Sequence, residues 1–272
     1  MRTPSAPTAA LRRALPLFLL TGPLLLLTGL PGCKIFAGKP AHATINEVLF
    51  LGSLHEEHSS SAGYDLEALE ALLREINPGL VLCEVPPGRY EKAWGEFVAT
   101  GKVSREPTAL YPEVTEVLFP LALEGRVTVK PVSAWTASEL RRREELLAQW
   151  ETSRPRDSRT VQAAEERGRR ELKRLALTDS AESVHSARFD QIVAAAMEPG
   201  ERLFGADLGQ GSWTQINRAH AELIDAALDR CSGDGLRVVV LFGAWHKHRL
   251  RELFRRRSDI HLISLAEALK TP

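Results

Sequence analysis

Two segments of the chain share a Gly-x-x-His pattern, and each follows an apolar run. GSLH at residues 52–55 comes after VLFL, and GAWH at residues 243–246 comes after VVVLF. About half a match is expected by chance in a chain with 19 glycines and 8 histidines, so one copy means little, whereas two copies in equivalent positions are much less expected. Glycine at that point allows a turn and a close approach of a ligand to the backbone. The pattern therefore predicts that His55 and His246 contribute to one site.

A carboxylate follows a third apolar run. Glu84 comes directly after LVLC at residues 80–83, and Arg89 follows five residues later. Two imidazoles and one carboxylate suit a divalent transition metal, with positions left for water or substrate. Such an ion lowers the pKa of bound water and polarises carbonyl groups, which are the steps that hydrolysis needs. Arg89 would pair with a substrate carboxylate or with an oxyanion. The alternatives are that each histidine only caps a helix or bonds a loop, and that Glu84 and Arg89 only form an ion pair.

These side chains meet only if the runs before them are neighbouring parallel strands. The runs at residues 48–51, 80–83 and 238–242 are continuous rather than alternating, as in strands buried on both faces of a parallel sheet. Runs at 127–130 and 261–265 predict two more strands. An amphipathic stripe from Leu66 to Ile76 predicts a helix between the first two strands, hence a βαβ unit and an α/β fold with a mostly parallel central sheet. Ligand crevices form at the carboxyl edge of such sheets, where His55, Glu84 and His246 should converge.

A charge-dense region separates the two Gly-x-x-His halves. Residues from about 136 to 176 are rich in Arg and Glu and predict a helical hairpin, broken near Pro155, inserted into or packed beside the sheet. Mixed charges on helices usually form a solvated face supported by i,i+4 pairs. The alternative is that this charged arm binds a protein partner.

Four further residues are candidates for the wall of the same pocket: His220, Asn217, Asp207 and Glu56. His220 lies on an apolar helical stripe, so it is either a satisfied core residue, which we favour, or a side chain aimed into a pocket. Glu56 and His58 in HEEH could add ligands, but the spacing is not HExxH and we expect an exposed rim. The chain has no Gly-x-Ser-x-Gly elbow and no Walker loop, which argues against serine-hydrolase and P-loop chemistry.

Residues 1–32 have the features of an export signal. Three arginines precede an apolar run at residues 14–30, which Pro and Gly interrupt and which is shorter than the roughly 20 residues that span a bilayer. LPGC at residues 30–33 resembles a bacterial lipobox, in which Cys33 is acylated. Residues 33–44 would then be a tether and residues 45–272 the folded domain. We expect an exported, lipid-anchored protein of the bacterial cell envelope, at the periplasmic face or the cell surface; the alternative is an uncleaved anchor helix.

Charge and cysteine content narrow the function classes. The chain has 35 Lys and Arg against 35 Asp and Glu, and loss of the signal would leave 32 against 35. The mild acidity argues against nucleic acid as a partner. Cys83 lies inside a strand-like run, which predicts a buried thiol. A disulfide between Cys83 and Cys231 is the alternative if the protein is in an oxidising compartment.

Taken together, the two Gly-x-x-His motifs, Glu84 and Arg89 resemble the TraB/TIKI-like superfamily, whose members carry these groups on an α/β scaffold. The resemblance covers residues 46–90 and 236–253. For the animal branch it implies a divalent-metal-dependent peptidase, and in the bacterial branch interference with peptide pheromones has been proposed. It makes His55, Glu84 and His246 candidate metal or catalytic residues and Arg89 a supporting one, with Mn, Co, Zn and Fe not distinguished. This chain differs from the superfamily in two ways: Trp245 occupies a position where a small residue is common, and the charged insert is not a shared feature. The substrate class is therefore not determined, and a peptide and a small molecule are both candidates.

The chain is also similar to ChaN-like haem-binding lipoproteins, in its export signal and its first Gly-x-x-His segment. That similarity implies a non-enzymatic haem- or metal-binding protein, with Tyr64, Tyr90 or a histidine as axial ligand. A third interpretation is an inactive family member that acts as an interaction protein through the charged arm.

Overall fold

The computed structural model describes residues 44–104 and 111–270, and five strands within them form one parallel sheet. The order across the sheet is β3-β2-β4-β1-β5, and every neighbouring pair is parallel. The predicted α/β fold with a mostly parallel sheet is confirmed. The strands are β1 (Asn46–Ser53), β2 (Leu80–Cys83), β3 (Thr128–Pro131), β4 (Arg237–Gly243) and β5 (Ile260–Leu262).

Strand β4 lies between β1 and β2, although it follows both in the chain. Ser53 lies opposite Gly243 at the end of the β1–β4 pair, and Cys83 lies opposite Leu241 in the β2–β4 pair. The carboxyl ends of β1, β4 and β2 are therefore three adjacent positions on one edge. The direction of winding also changes there: β2 and β3 lie on one side of β4, whereas β1 and β5 lie on the other. In parallel sheets, ligand crevices form at such switch points.

Helices connect the strands and cover both faces of the sheet. A 3-10 turn (His55–Ser60) follows β1, a π-helical turn (Glu113–Leu118) leads directly into α3, and a 3-10 turn (Gly209–Gly211) separates α7 from α8. The α-helices of the described residues are α1 (Leu66–Ile76), α2 (Pro87–Thr100), α3 (Phe119–Leu123), α4 (Ala137–Ser153), α5 (Pro155–Arg174), α6 (Ala181–Val184), α7 (Ala187–Leu208), α8 (Trp213–Asp229), α9 (Ala244–Phe254) and α10 (Leu265–Ala268).

The sheet has an apolar core on each face. Leu49 and Leu51 of β1 pack in one core with residues of α1, α3 and α7, whereas Val48 and Phe50 pack in the other with residues of α8 and α9. All four side chains are buried. This two-sided burial explains the continuous apolar runs, because each side chain of this kind contributes about 1.5–3 kcal/mol when removed from water.

The predicted helical hairpin is formed by α4 and α5, with Pro155 in the first turn of α5, where its missing N–H is tolerated. The hairpin has a small core of its own, in which Trp150 stacks on Phe204 of α7 with ring centroids 4.3 Å apart. The sequence pattern predicts a helix near Ser186–Met197, and α7 is longer, because it continues through Pro199 to Leu208. Many of the surface charges form i,i+4 pairs, such as Arg169 with Glu165.

Both cysteines of the described residues are free and buried. Cys83 belongs to the core on one face of the sheet and Cys231 to the core on the other, so the sheet separates them and the disulfide alternative is wrong. The buried thiol predicted for Cys83 is confirmed.

The predicted export signal, Cys33 and all of the tether except Thr44 lie outside the described residues. The described residues belong to one compact unit, which spans Pro40–Pro272. No helix within residues 44–104 and 111–270 is both long enough and apolar enough to span a bilayer.

Candidate functional site

Glu84 lies at the middle of the edge formed by the ends of β1, β4 and β2. Nε2 of His55 is 3.7 Å from Oε2 of Glu84, and Nε2 of His246 is 3.8 Å from Oε1 of the same carboxylate. The three residues that the sequence singled out therefore meet. They meet because β4 is inserted between the other two strands, so that three consecutive strand ends each contribute one side chain.

The glycines of the two motifs make this approach possible. A Cβ atom on Gly243 would lie 2.5 Å from Nε2 of His55 and 3.3 Å from Oε2 of Glu84. A Cβ atom on Gly52 would lie 3.0 Å from Cα of Ala244, at the start of α9. Gly243 thus leaves space for His55 of the first motif, and Gly52 leaves space for Ala244 of the second motif. The two segments are interlocked, which explains why both need glycine at the strand end.

The imidazole of His55 is held by Glu113, a buried residue that the sequence reasoning missed. Nδ1 of His55 lies 2.7 Å from Oε1 of Glu113, and the ring of Tyr111 stacks on the imidazole with centroids 3.7 Å apart. The backbone of His55 has a φ of 52°, in the left-handed region, a conformation that costs a non-glycine residue about 1–3 kcal/mol and that is concentrated at functional sites.

The protonation of His55 and of Glu113 is coupled. Burial lowers the pKa of His55, but the hydrogen bond and charge of Glu113, together with the charge of Glu84, outweigh it and raise that pKa above 6.5. Burial raises the pKa of Glu113, but the hydrogen bond and charge of His55 outweigh it and lower that pKa below 4.5. Each partner favours the charged form of the other. The pair therefore favours an imidazolium on His55 and a carboxylate on Glu113.

The imidazole of His246 has a neutral partner instead. Its Nδ1 lies 3.0 Å from Oδ1 of Asn217, and Nδ2 of Asn217 donates to the carbonyl oxygen of Trp213 at 2.7 Å. Because a carbonyl only accepts, the amide orientation is determined, and Nδ1 of His246 must be the donor toward Oδ1. Burial and the nearby His220 and His55 lower the pKa of His246 well below 6.5. His246 is thus neutral, and its Nε2 carries a lone pair toward Glu84.

His220 lies beside these residues and is fully buried. Its Nδ1 accepts the N–H of Ala134 at 2.9 Å, and its Nε2 is buried with no hydrogen-bond partner among the described residues. Ligand atoms of Glu84, His220 and His246 lie within 4.8 Å of one another, so this group could hold a metal ion. His220 is therefore buried, as the favoured prediction of a core role has it, but it is not satisfied, because Nε2 has no partner among the described residues.

The hydrogen bond from Ala134 also determines the tautomer of His220. Burial lowers the pKa of His220 to about 4, so the ring is neutral near pH 7. Since Nδ1 accepts, the single ring proton is on Nε2. In this tautomer, Nε2 of His220 is a donor, and it becomes a ligand only if it loses that proton.

Glu84 is buried, and burial is the main influence on its protonation. Burial raises the pKa of Glu84, against the lowering effects of the charge of His55 and of the N–H of Gly243, which donates to Oε2 at 2.8 Å. Gly243 directly precedes α9, so the carboxylate also lies at the positive end of that helix. A carboxyl group with a raised pKa beside two imidazoles is suited to proton transfer or to binding a cation.

Two cavities reach this site from different sides. One of about 280 Å³ is lined by Glu84 together with Glu56, Arg89, Tyr111 and Trp135. Glu56 and Arg89 are exposed, so these two candidates line the approach to Glu84. The other cavity, of about 340 Å³, is lined by His246 and lies among α4, α5, α7 and α8.

Asp207 does not lie at the site. It is exposed, and its carboxylate forms an ion pair with Arg154 at 2.9 Å. The expectation that it lines the crevice is wrong, because α7 continues beyond Met197 and brings Asp207 against the helical hairpin.

His58 is part of the core and not of an exposed rim. Its Nε2 accepts the N–H of Leu54 at 3.0 Å, and its Nδ1 donates to the carbonyl oxygen of Tyr64 at 2.6 Å. His58 therefore stabilises the turn that carries His55. The hydroxyl of Tyr64 in turn donates to the carbonyl oxygen of Gly52 at 2.9 Å.

The arrangement brings a buried carboxylate, three imidazoles and two cavities to one edge of a parallel sheet. Glu84, His220 and His246 within it form a group that could hold a metal ion. No family model, no curated protein and no solved structure matches this chain.

Proposed function

We propose that this chain is a divalent-metal-dependent hydrolase of the TraB/TIKI-like type, which cleaves amide or peptide bonds outside the cytoplasm while anchored to a membrane by lipid. The observation that carries the proposal is the position of Glu84, whose two oxygens lie 3.7 and 3.8 Å from Nε2 of His55 and of His246. Ligand atoms that bind one ion at about 2.0–2.2 Å lie roughly 3–4 Å from each other. Each observed separation is in that range, and the two histidines lie against different oxygens of the carboxylate.

Hydrogen bonding favours His55, Glu84 and His246 as the ligands. Glu113 accepts from Nδ1 of His55 and Asn217 accepts from Nδ1 of His246, which directs the Nε2 lone pair of each neutral ring into the site. Such partners orient metal-binding histidines in known sites. His220 is the competing third ligand, since it belongs to the compact group with Glu84 and His246.

The ligand set of two imidazoles and one carboxylate suits Zn, Co, Mn and Fe. When bound, such an ion supplies a Lewis acid that polarises a carbonyl group and lowers the pKa of water. The unsatisfied Nε2–H of His220 supports a second role, because it can donate to a substrate oxygen that gains negative charge. Arg89 lines the cavity beside Glu84, where it can bind the carboxylate end of a peptide.

Metal titration and a hydrolysis assay test the proposal together. The full chain should bind one equivalent of Co²⁺, and the double variant His55→Ala, His246→Ala should lose more than about 100-fold in affinity. Asp207→Ala is the matched control, because it removes a charged side chain that lies away from the site. The metal-loaded chain should cleave members of a mixed peptide library, and Glu84→Gln should not.

Two results would contradict this proposal. One is a double variant that binds Co²⁺ as tightly as the unaltered chain, which would remove the metal centre. The other is a metal-loaded chain that binds Co²⁺ at this site but cleaves no peptide or amide, which would leave a metal-binding protein without the proposed activity.

Export and lipid anchoring rest on the residues that precede the folded unit. In a bacterial host, labelled fatty acid should be incorporated into the full chain, and Cys33→Ser should abolish the label and release the protein from the membrane fraction. Incorporation that persists in Cys33→Ser would contradict the lipobox. We expect a peptide or small-molecule substrate and no nucleic-acid partner.

The haem-binding alternative loses one of its candidate axial ligands. Tyr64 is buried and its hydroxyl is bonded to the carbonyl oxygen of Gly52, so it does not face a cavity. We expect no Soret shift when the full chain is titrated with haem. A saturable shift that disappears in His246→Ala would instead favour the haem-binding interpretation.

A further inference from the structure

The cavity of about 340 Å³ that His246 lines is mostly apolar inside. Its wall includes Leu147, Val161, Met197 and Phe204, which come from the helical hairpin and from α7. The volume falls in the range of small-molecule pockets, about 300–1,000 Å³. The hairpin, which the sequence marks only as a charged arm, therefore contributes an apolar surface that faces the site.

Glycines keep part of this cavity open. A Cβ atom on Gly200 would meet only Cγ1 of Val161, at 3.5 Å, and one on Gly211 would meet only Cβ of Arg143, at 3.7 Å. Both are ordinary contact distances, so the fold has room for a side chain at either position. Gly200 lies inside α7, where glycine destabilises a helix relative to alanine. The missing side chain at Gly200 therefore leaves space in the cavity wall that an occupant can fill.

The cavity wall also includes polar side chains, and four of them have hydrogen-bond partners. Glu151 and Gln162 are exposed and bonded to each other at 3.3 Å. Arg143 is half-buried and donates to the carbonyl oxygen of Gly211 at 3.1 Å, and Glu201 accepts the N–H of Thr214 at 3.2 Å. These four polar side chains already have partners, and most of the other wall residues are apolar, which leaves an apolar surface for an occupant.

The inner end of the cavity adjoins the proposed metal centre. His246 lines the cavity and also lies 3.8 Å from Glu84. Trp213, another wall residue, stacks on the ring of His246 with centroids 4.5 Å apart. A group bound in the cavity is therefore next to any bond that is cleaved at Glu84.

We propose that this cavity is the specificity pocket of the site, and that it binds a large apolar side chain of a peptide substrate on the residue that adjoins the cleaved bond. The assignment rests on the proposed function for the identity of the substrate as a peptide. Carboxylates outnumber guanidinium groups on the wall, since Glu151, Glu165 and Glu201 face one Arg143. The pocket therefore favours an apolar residue with a basic neighbour over one with an acidic neighbour.

Binding of small amides to the full chain tests the pocket without catalysis. N-acetyl-phenylalaninamide and N-acetyl-leucinamide should bind at least about 10-fold more tightly than N-acetyl-glycinamide, because burial of the apolar side chain supplies the difference. Gly200→Leu fills the cavity and should remove that preference, and Gly200→Ala should reduce it. Gly95→Leu is the matched control, since Gly95 is exposed in the middle of α2 and a Cβ there meets nothing.

Co²⁺ affinity separates this proposal from the previous one. Gly200→Leu and Gly200→Ala should bind Co²⁺ within about twofold of the unaltered chain, which also shows that the variants are folded. If Co²⁺ does not bind the unaltered chain but the apolar amides do, the metal proposal fails and the pocket stands. Equal binding of all three amides to the unaltered chain, or an unchanged preference in folded Gly200→Ala and Gly200→Leu, would overturn the pocket.

Discussion

The two Gly-x-x-His segments have the same pattern and the same place at a strand end, yet their histidines differ in protonation. Nδ1 of His55 is bonded to the carboxylate of Glu113, and the pKa of His55 is raised. Nδ1 of His246 is bonded to the amide oxygen of Asn217, and the pKa of His246 is lowered. The motif determines where the imidazole lies. The surroundings determine its charge: Glu113 raises the pKa of His55, whereas burial and neighbouring imidazoles lower the pKa of His246.

This difference has a consequence for metal binding. In the metal-free chain, Nε2 of His246 already has a free lone pair, whereas His55 carries a proton that an ion must displace at any pH below its raised pKa. Affinity for the metal should therefore fall as the pH decreases through the raised pKa of His55. The backbone of the two residues differs as well, since His55 has a positive φ and His246 lies in the first turn of α9.

The largest effect is expected from the two motif glycines. Gly243→Ala places a Cβ 2.5 Å from Nε2 of His55, so the imidazole must move and Co²⁺ affinity should fall by more than about 100-fold. Gly52→Ala places a Cβ against Ala244 instead, and it should reduce the free energy of unfolding by about 1–3 kcal/mol with a smaller effect on affinity. Co²⁺ titration and urea denaturation of both variants measure these changes. Equal loss of affinity in the two variants would contradict the different roles assigned to the glycines.

The next largest effect is expected when the charge beside His55 is removed, which takes away the difference between the two histidines. Glu113→Gln keeps a hydrogen-bonding side chain but no carboxylate, so the pKa of His55 should fall, because burial is then opposed only by more distant charges. Co²⁺ affinity near neutral pH should decrease by about 10–100-fold, as for other partners of metal-binding histidines. NMR titration of the imidazole and metal titration measure the two quantities. An unchanged pKa of His55 would show that Glu113 does not control its charge.

A substitution beside His246 tests the same difference from the other side. Asn217→Asp gives His246 the same kind of partner that His55 has, so its pKa should rise by at least about 1 unit. NMR titration of the metal-free chain measures it. Asp190→Asn serves as a control, because Asp190 pairs with Lys247 and not with His246. A pKa of His246 that stays low in Asn217→Asp would mean that burial alone determines its charge.

The smallest effect is on the pH dependence of stability. The pKa of His55 is raised, so its contribution to stability is complete below 6.5 and is lost as the pH rises through the folded-state pKa. The pKa of Glu113 is lowered, so its contribution is present above 4.5 and is lost as the pH falls through its folded-state pKa. The pair therefore stabilises the metal-free chain most between these two values.

Urea denaturation measures this contribution. The difference in unfolding free energy between the unaltered chain and Glu113→Gln should be about 1–3 kcal/mol near pH 5.5 and smaller near pH 9. A difference that grows toward pH 9 would contradict the imidazolium–carboxylate pair.

The sequence was sufficient to predict the meeting of His55, Glu84 and His246. Continuous apolar runs indicate buried parallel strands, and a polar residue after such a run has a defined position at the sheet edge. Even so, the runs do not reveal that β4 lies between β1 and β2, which is what makes the three strand ends adjacent. That order depends on how the later helices pack.

Glu113, His220 and Asp207 show why the rest was not predicted. Glu113 begins a π-helical turn and reaches a residue 58 positions away, so no local pattern marks it. His220 lies on an apolar helical stripe, and the sequence of that stripe does not distinguish a side chain that packs in the core from one that faces the site. Asp207 lies near the end of α7, which continues through Pro199, and no local pattern shows that the helix extends so far.

X-ray absorption at the zinc edge tests the central claim most directly, because it counts the imidazoles bound to the metal. The zinc-loaded full chain should show two imidazole ligands, His55→Ala should retain one, and His220→Ala should retain both. If His55→Ala keeps both imidazoles while His220→Ala loses one, the ligands are Glu84, His220 and His246. That result would contradict the claim that the two Gly-x-x-His segments share one metal ion.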